Sequence, residues 1–269
     1  MELILITVTI FVLIIASYTD LRTREVPDWI SYSYILTVLA VVLVYSLQSD
    51  FTIFLYSLLG FATMFILGVS MYYLKQWGGA DAKLFMGLGI VFPVLGLRPA
   101  IILLIGMLFI GGIYSFLWGL AIYLKNLKKA NKKFLFYLKK KKATRLILVI
   151  ISILVLIAIF FIPTMYRISL FGSLLVILLL FYLTVFIKTV EAIGFIKLTK
   201  ATEGDWLAKS VRYKGKVVIS KSKTCLTKKD IQLLKKNKIK EIWIKIGIPF
   251  VPVILLSTIT AIIVYFMGF

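Results

Sequence analysis

Eleven of the 269 residues are acidic, and two of them stand where an acid is costly. Asp20 closes the first long apolar run, and Asp81 opens the fourth. A carboxylate at the end of a membrane span is unfavourable unless it reaches water or a partner, so such residues mark function by default. Two apolar runs separate them, and two crossings return a chain to the side it left. Both carboxylates are therefore expected at one membrane face and at similar depth. Two carboxylates brought close cannot both ionise easily, so the pair shares a proton. In that state one can activate water while the other polarises a carbonyl, which is the chemistry of amide hydrolysis.

The neighbours of each aspartate fit that use. Asp81 sits in Trp77-Gly78-Gly79-Ala80-Asp81-Ala82-Lys83. Adjacent glycines let a backbone approach closely and can interrupt a helix at the membrane edge. Asp20 is followed by Arg22 and Arg24, which can anchor at lipid headgroups, and by Pro27, which can open the next helix. Glu25 and Asp28 in the same turn, with Glu203 and Asp205 further on, are the acids available to attract a cationic substrate. Exposed ion pairs of this kind contribute modestly.

The remaining chemistry is limited by what the chain lacks. It has no histidine and one cysteine, Cys225. A histidine-based triad, a histidine metal site and a cysteine-rich zinc site are excluded, and neither a metal nor a cofactor is expected. A net charge of +21 would suggest nucleic acid in a soluble protein. Here 61% of residues are hydrophobic and the mean hydropathy is +1.03, so the basic residues read as cytoplasmic loops of a membrane protein, near anionic headgroups, with no nucleic-acid partner.

The apolar residues fall into eight segments: Leu3–Tyr18, Trp29–Leu47, Phe51–Leu74, Leu84–Leu97, Ile101–Leu124, Leu146–Ile162, Ile168–Ile187 and Pro249–Phe269. Several are about 20 residues long, enough to cross a bilayer core. Continuous runs also exclude a β-barrel, whose strands alternate. The first has the length of a signal peptide but an acidic start and no small-residue cleavage site. With the N-terminus outside, every one of the 32 cations except Arg98 and Arg167 falls on the inner side, which decides the orientation by the positive-inside rule. The expected fold is an all-α polytopic membrane protein of about eight transmembrane helices, six to eight in range, with a small α+β cytoplasmic subdomain. Residues 1–190 form the bundle, with a basic cytoplasmic loop at 125–145. Residues 191–247 form the subdomain, and 248–269 the final helix. Within the subdomain, Val211–Tyr213 and Lys216–Ser220 read as a hairpin, Thr227-Lys-Lys-Asp230 as a capped helix start, and Glu241–Ile246 as a strand.

These residues carry a resemblance. The chain looks like an archaeal prepilin or preflagellin peptidase of the type IV prepilin peptidase family, a group of aspartyl intramembrane proteases. The family has an Asp at the end of its first span, followed by a basic stretch and Ile/Val-Pro, matched here by Asp20, Arg22, Arg24, Val26 and Pro27. Its second motif, G-x-G-D often followed by x-K, is matched by Gly78, Gly79, Asp81 and Lys83, with Ala80 in place of the second glycine. The likeness extends to the cytoplasmic stretch from Glu203-Gly-Asp-Trp206 through Ile248-Pro-Phe-Val-Pro252. The resemblance implies Asp20 and Asp81 as catalytic residues, with Gly78, Gly79, Lys83, Glu25 and Asp28 binding substrate or supporting the site. It implies no metal and, as partners, archaellin or pilin-like precursors with class III signal peptides. The cysteine-rich segment of many bacterial relatives is absent. A presenilin-like protease, which shares the G-x-G-D motif, a cation transporter and a non-enzymatic assembly scaffold are the rival readings. The early position of Asp20 favours the prepilin peptidase reading over these.

Overall fold

The computed structural model describes residues 1–74, 76–161, 163–193, 195–197, 205–207, 209–213, 216–220, 225–237, 239, 241–244 and 247–268. Helices dominate: α1 (Glu2–Thr23), α2 (Asp28–Gln48), α3 (Thr52–Tyr73), α4 (Gly79–Leu95), α5 (Leu97–Lys125), α6 (Leu127–Lys140), α7 (Lys142–Phe161) and α8 (Thr164–Glu191). Then come β1 (Phe195–Lys197), β2 (Val211–Tyr213), β3 (Lys216–Ile219), α9 (Lys228–Lys236), β4 (Glu241–Trp243) and α10 (Val251–Met267). Each of the eight apolar segments forms a helix. Among the described residues, α1, α2, α3, α5 and α8 are long and apolar enough to cross a membrane, and α10 is a shorter apolar helix. The protein is thus a multi-pass membrane protein of all-α fold. Its outward side chains are apolar, as a lipid-facing surface requires: Leu3 is 67% exposed and Leu108 76%.

Two expectations change. The fourth apolar segment begins earlier, so that α4 starts at Gly79 and Asp81 lies in its first turn. Its brevity follows from its position. Leu84, Phe85, Leu88, Ile90, Val91 and Phe92 are all buried among α1, α2, α3 and α5, so α4 is the centre of the bundle. The second correction concerns the basic stretch 125–145, which is not a loop. Leu127, Ala130, Phe134, Tyr137 and Leu138 recur at helical spacing, and α6 forms with Ala130 fully buried and its lysines outward. Tyr123 on α5 donates to Asn131 on α6 at 2.7 Å and fixes the bend between them.

Close packing of α3 on α4 depends on glycine. A Cβ on Gly89 would lie 2.5 Å from the carbonyl oxygen of Gly60, and a Cβ on Gly60 would meet Gly89 and Pro93. Backbones that touch like this gain dispersion and allow only the smallest side chains. Gly87 gives the same room to the ring of Tyr34, whose hydroxyl pairs with Thr9 at 3.1 Å. At the α1–α2 turn, Arg24 takes the left-handed conformation, φ 59°, and Pro27 precedes α2. Between α2 and α3, the hydroxyl and then the N–H of Thr52 bind Asp50 and hold its carboxyl below the usual range.

A second, smaller hydrophobic cluster gathers Leu207, Ile219, Leu226, Leu234, Ile242 and Ile244. The hairpin forms as β2 against β3, and β4 pairs antiparallel with β1, Phe195 opposite Trp243. The capped start of α9 is present: Asp230 accepts from the N–H of Thr227 at 2.8 Å, and the Thr227 hydroxyl accepts from the N–H of Asp230 at 3.3 Å. The hairpin turn Lys214-Gly215 and the end of the expected strand at 245–246 lie outside the described residues. The Cys225 thiol meets the Tyr72 hydroxyl at 3.9 Å, beside the end of α3.

Candidate active site

Asp20 lies in the last turn of α1 and Asp81 in the first turn of α4. The two helices pack together, and the carboxylates are close enough for their charges to interact. The pair separated by 61 positions in sequence is thus brought to one end of the bundle. At the opposite end, Tyr265 of α10 donates to Glu2 of α1. Both aspartates are largely buried, at 7% and 8% exposure, so the site is nearly closed.

Each carboxylate is fixed by backbone donors. Asp81 reaches back to the N–H of Gly78 at 2.9 Å, just before α4 begins. Asp20 accepts from the N–H of Val251 at 3.0 Å, with the backbone of Phe250 beside it. Those two residues open α10, so the positive end of that helix points at Asp20. Arg24, one turn on from Asp20, acts on the same carboxylate. Donors of this kind hold a carboxylate in one orientation, which a group that must meet a water and a carbonyl needs.

The aromatic surround comes from the same segments. Trp77 meets Phe85 edge-on at 5.0 Å between centroids and lies tilted over Phe250 at 5.8 Å. It ties the Gly78-Gly79 turn to the start of α10. Gly78 has a steric reason, and Gly79 does not. A Cβ on Gly78 would approach the Asp81 carboxylate to 3.1 Å, and one on Gly79 would touch the Tyr72 ring at 3.8 Å. Sequence reasoning missed Phe250, Val251 and the pairing of Trp77 with Phe250. Pro249 and Pro252 beside a helix start were the available signal.

The supporting residues divide. Lys83 binds Asp28 at 2.7 Å and lies over the Tyr32 ring at 4.6 Å, joining α4 to the start of α2. Glu25 is exposed in the α1–α2 turn, on the same side of the bundle. Asp205 lies in the small subdomain, where its carbonyl accepts from Leu226 at 2.8 Å, and Glu203 is outside the described residues. The Asp28 side chain is 70% exposed, so its ion pair is screened. We expect Asp28→Asn to cost less than about 1 kcal/mol of stability. Thermal unfolding in detergent checks this, and a large fall would show that the pair holds α2 against α4.

Residues 7–116 match the type IV leader peptidase family. That segment runs from α1 into α5 and contains both aspartates and the Gly78-Gly79 turn. The chain is also 39% identical over 83 residues to a preflagellin peptidase of Methanococcus maripaludis, and 36% identical over 86 residues to one of Methanocaldococcus jannaschii. Each match covers 30% of this chain and 35% of the relative, so the chain aligns with about a third of the length of these curated relatives. No solved structure matches the chain.

Proposed function

We propose that this protein is a membrane-embedded aspartic endopeptidase that removes short basic leader peptides from preflagellin- and prepilin-type precursors. One observation carries the reading: Asp20 and Asp81 share one end of the bundle within electrostatic reach, inside the segment that matches the leader peptidase family. One carboxylate takes a proton from water, and the resulting hydroxide adds to the scissile carbonyl carbon. The other gives its proton to the carbonyl oxygen, leaving a neutral gem-diol. On collapse, one diol hydroxyl gives its proton to the ionised carboxylate, the protonated carboxylate gives its proton to the nitrogen, and the C–N bond breaks. The products are a free acid and a free amine, and the dyad regains its starting charge.

In this reading residues 1–190 and 248–269 form the catalytic bundle and 191–247 a cytoplasmic subdomain. The N-terminus is outside and the dyad lies at the cytoplasmic face, because nearly all cations then lie inside. The precursor's apolar helix lies against the bundle, and its cationic leader stays in the cytoplasm near Glu25, Asp28 and Asp205. The scissile bond lies where those parts meet, since a carbonyl inside an intact helix is already hydrogen-bonded and covered. The test is cleavage of a precursor by membranes containing the protein, with products weighed by mass spectrometry. Expected is a cut at the leader junction that persists with a chelator present, since the chain has no histidine and one cysteine. Cuts mapping inside the apolar helix would point to presenilin-like cleavage instead, and loss with a chelator to metal-assisted hydrolysis.

A further inference from the structure

Trp77 lies between α3 and α4 and takes no part in the chemistry above, yet it touches both segments that aim the dyad. Its backbone is anchored first. The N–H groups of Gln76 and Trp77 both donate to the carbonyl of Met71, at 3.0 and 3.3 Å, and so bind the connection to the end of α3. The next peptide unit joins Trp77 to Gly78, and its N–H is the one that Asp81 accepts at 2.9 Å. A turn of the Trp77 backbone would therefore turn that donor.

The ring is held from two sides. It meets Phe85 with centroids 5.0 Å apart and planes at 78°, and Phe250 at 5.8 Å and 32°. Aromatic pairs attract at such separations. Phe85 stands one turn past Asp81 on α4 and is buried, so it gives the indole a firm wall. Phe250 is backed by α5, where a Cβ on Gly111 would lie 3.2 Å from its ring. It directly precedes Val251, whose N–H donates to Asp20 at 3.0 Å. One indole thus sits a single peptide bond from the donor of Asp81 and, through Phe250, a single peptide bond from the donor of Asp20. A tryptophan that serves only the membrane boundary is turned outward, as Trp29 is, whereas Trp77 packs against the main core.

We propose that Trp77 is a positioning residue of the dyad: its ring locks the Trp77–Gly78 peptide to the start of α10, so that the backbone donors of Asp81 and Asp20 keep one fixed relation. This rests on the peptidase reading. The two carboxylates come from different helices, and each is aimed by a backbone N–H outside the turns that carry them both. Water and a scissile carbonyl must fit between them, and a slip of about 1 Å in such a site costs on the order of a hundredfold in rate. The contact of Trp77 with Phe250 is what joins the two aiming segments.

The experiment measures kcat and KM of precursor cleavage for the full chain, Trp77→Phe, Trp77→Leu, Phe250→Leu and the double variant Trp77→Leu/Phe250→Leu, with rates scaled to folded protein. Leucine keeps apolar bulk and loses the ring. Each leucine variant should lower kcat about tenfold or more with KM within about twofold, since the surface on which the precursor rests is unchanged. Trp77→Phe keeps a ring and should stay within about threefold of the full chain. The double variant should be scarcely worse than either single one, because both remove the same contact. Phe116→Leu, which breaks the Phe116–Phe186 pair between α5 and α8, should leave kcat in place. An unchanged kcat in Trp77→Leu, losses that multiply in the double variant, or a loss carried by KM overturns the assignment. Should Trp77→Leu fail to fold, Phe250→Leu decides from the other side of the contact: a lowered kcat with KM held supports the role, and an unchanged kcat overturns it. Asp20→Asn and Asp81→Asn are assayed alongside. If either still cleaves, the peptidase reading itself fails. If both are inactive and Trp77→Leu keeps its kcat, only the role of Trp77 falls.

Discussion

Asp20→Asn and Asp81→Asn should each reduce cleavage of a precursor by at least about a thousandfold, the scale expected when one member of a cooperating acid–base pair is lost. Asparagine keeps the shape of the side chain and a carbonyl oxygen. In Asp20→Asn that oxygen can still accept from Val251, and in Asp81→Asn from Gly78, so the fold should persist. The loss should appear in kcat, because neither change removes the apolar surface on which the precursor's helix would rest. The double variant should be scarcely worse than either single one, since a pair that shares a proton works as a unit. Initial rates on membranes holding equal amounts of each variant settle the point. Substantial activity in either single variant would falsify the dyad as the catalytic centre.

The second large effect lies away from the chemistry. Gly89→Ala should destabilise the bundle by about 1–3 kcal/mol, the usual cost of forcing a methyl into a filled interior. The added carbon would stand 2.5 Å from the Gly60 carbonyl and 2.8 Å from the Met64 side chain. Met64 can move, but the carbonyl belongs to the helix backbone, so α4 must shift as a whole. Asp81 sits two turns earlier on that helix and should move with it, so activity falls together with unfolding temperature. Gly112→Ala on α5 is the control. Nothing lies within 4 Å of the added methyl there, and alanine favours a helix. If Gly89→Ala matched Gly112→Ala in stability and activity, the close approach of α3 and α4 would not be what positions Asp81.

How far the sequence discloses this arrangement depends on the distance between partners. The eight apolar runs show as helices because span length and hydropathy are properties of the local chain. The Thr227–Asp230 cap and the β2–β3 pair were legible for the same reason, since cap and hairpin are written within a few residues. The aspartates were legible because an acid at the end of a span is rare. The donor for Asp20 was not, as Val251 follows it by 231 positions and offers only a backbone N–H, which no residue type advertises. The helix at α6 was misread because ten cations between Lys125 and Arg145 outweighed five apolar residues at regular spacing. Charge density there obscured a periodicity that the neighbouring α8 and α5 complete by packing.

The bond from Val251 to Asp20 also sets an order of events during synthesis. Asp20 leaves the ribosome early and enters the membrane with α1, and Asp81 follows with α4. The N–H groups that orient Asp20 arrive only when α10 has been made and inserted. Until then the first aspartate has no fixed orientation and the bundle has no wall between α1 and α5. A nascent chain therefore carries both acids through the translocation machinery, where other apolar helices with basic flanks are passing, in a form unable to hold water against a carbonyl. The same connection that completes the candidate site in space delays it in time, so in the proposed peptidase reading newly inserted neighbours meet no assembled dyad before the fold has closed.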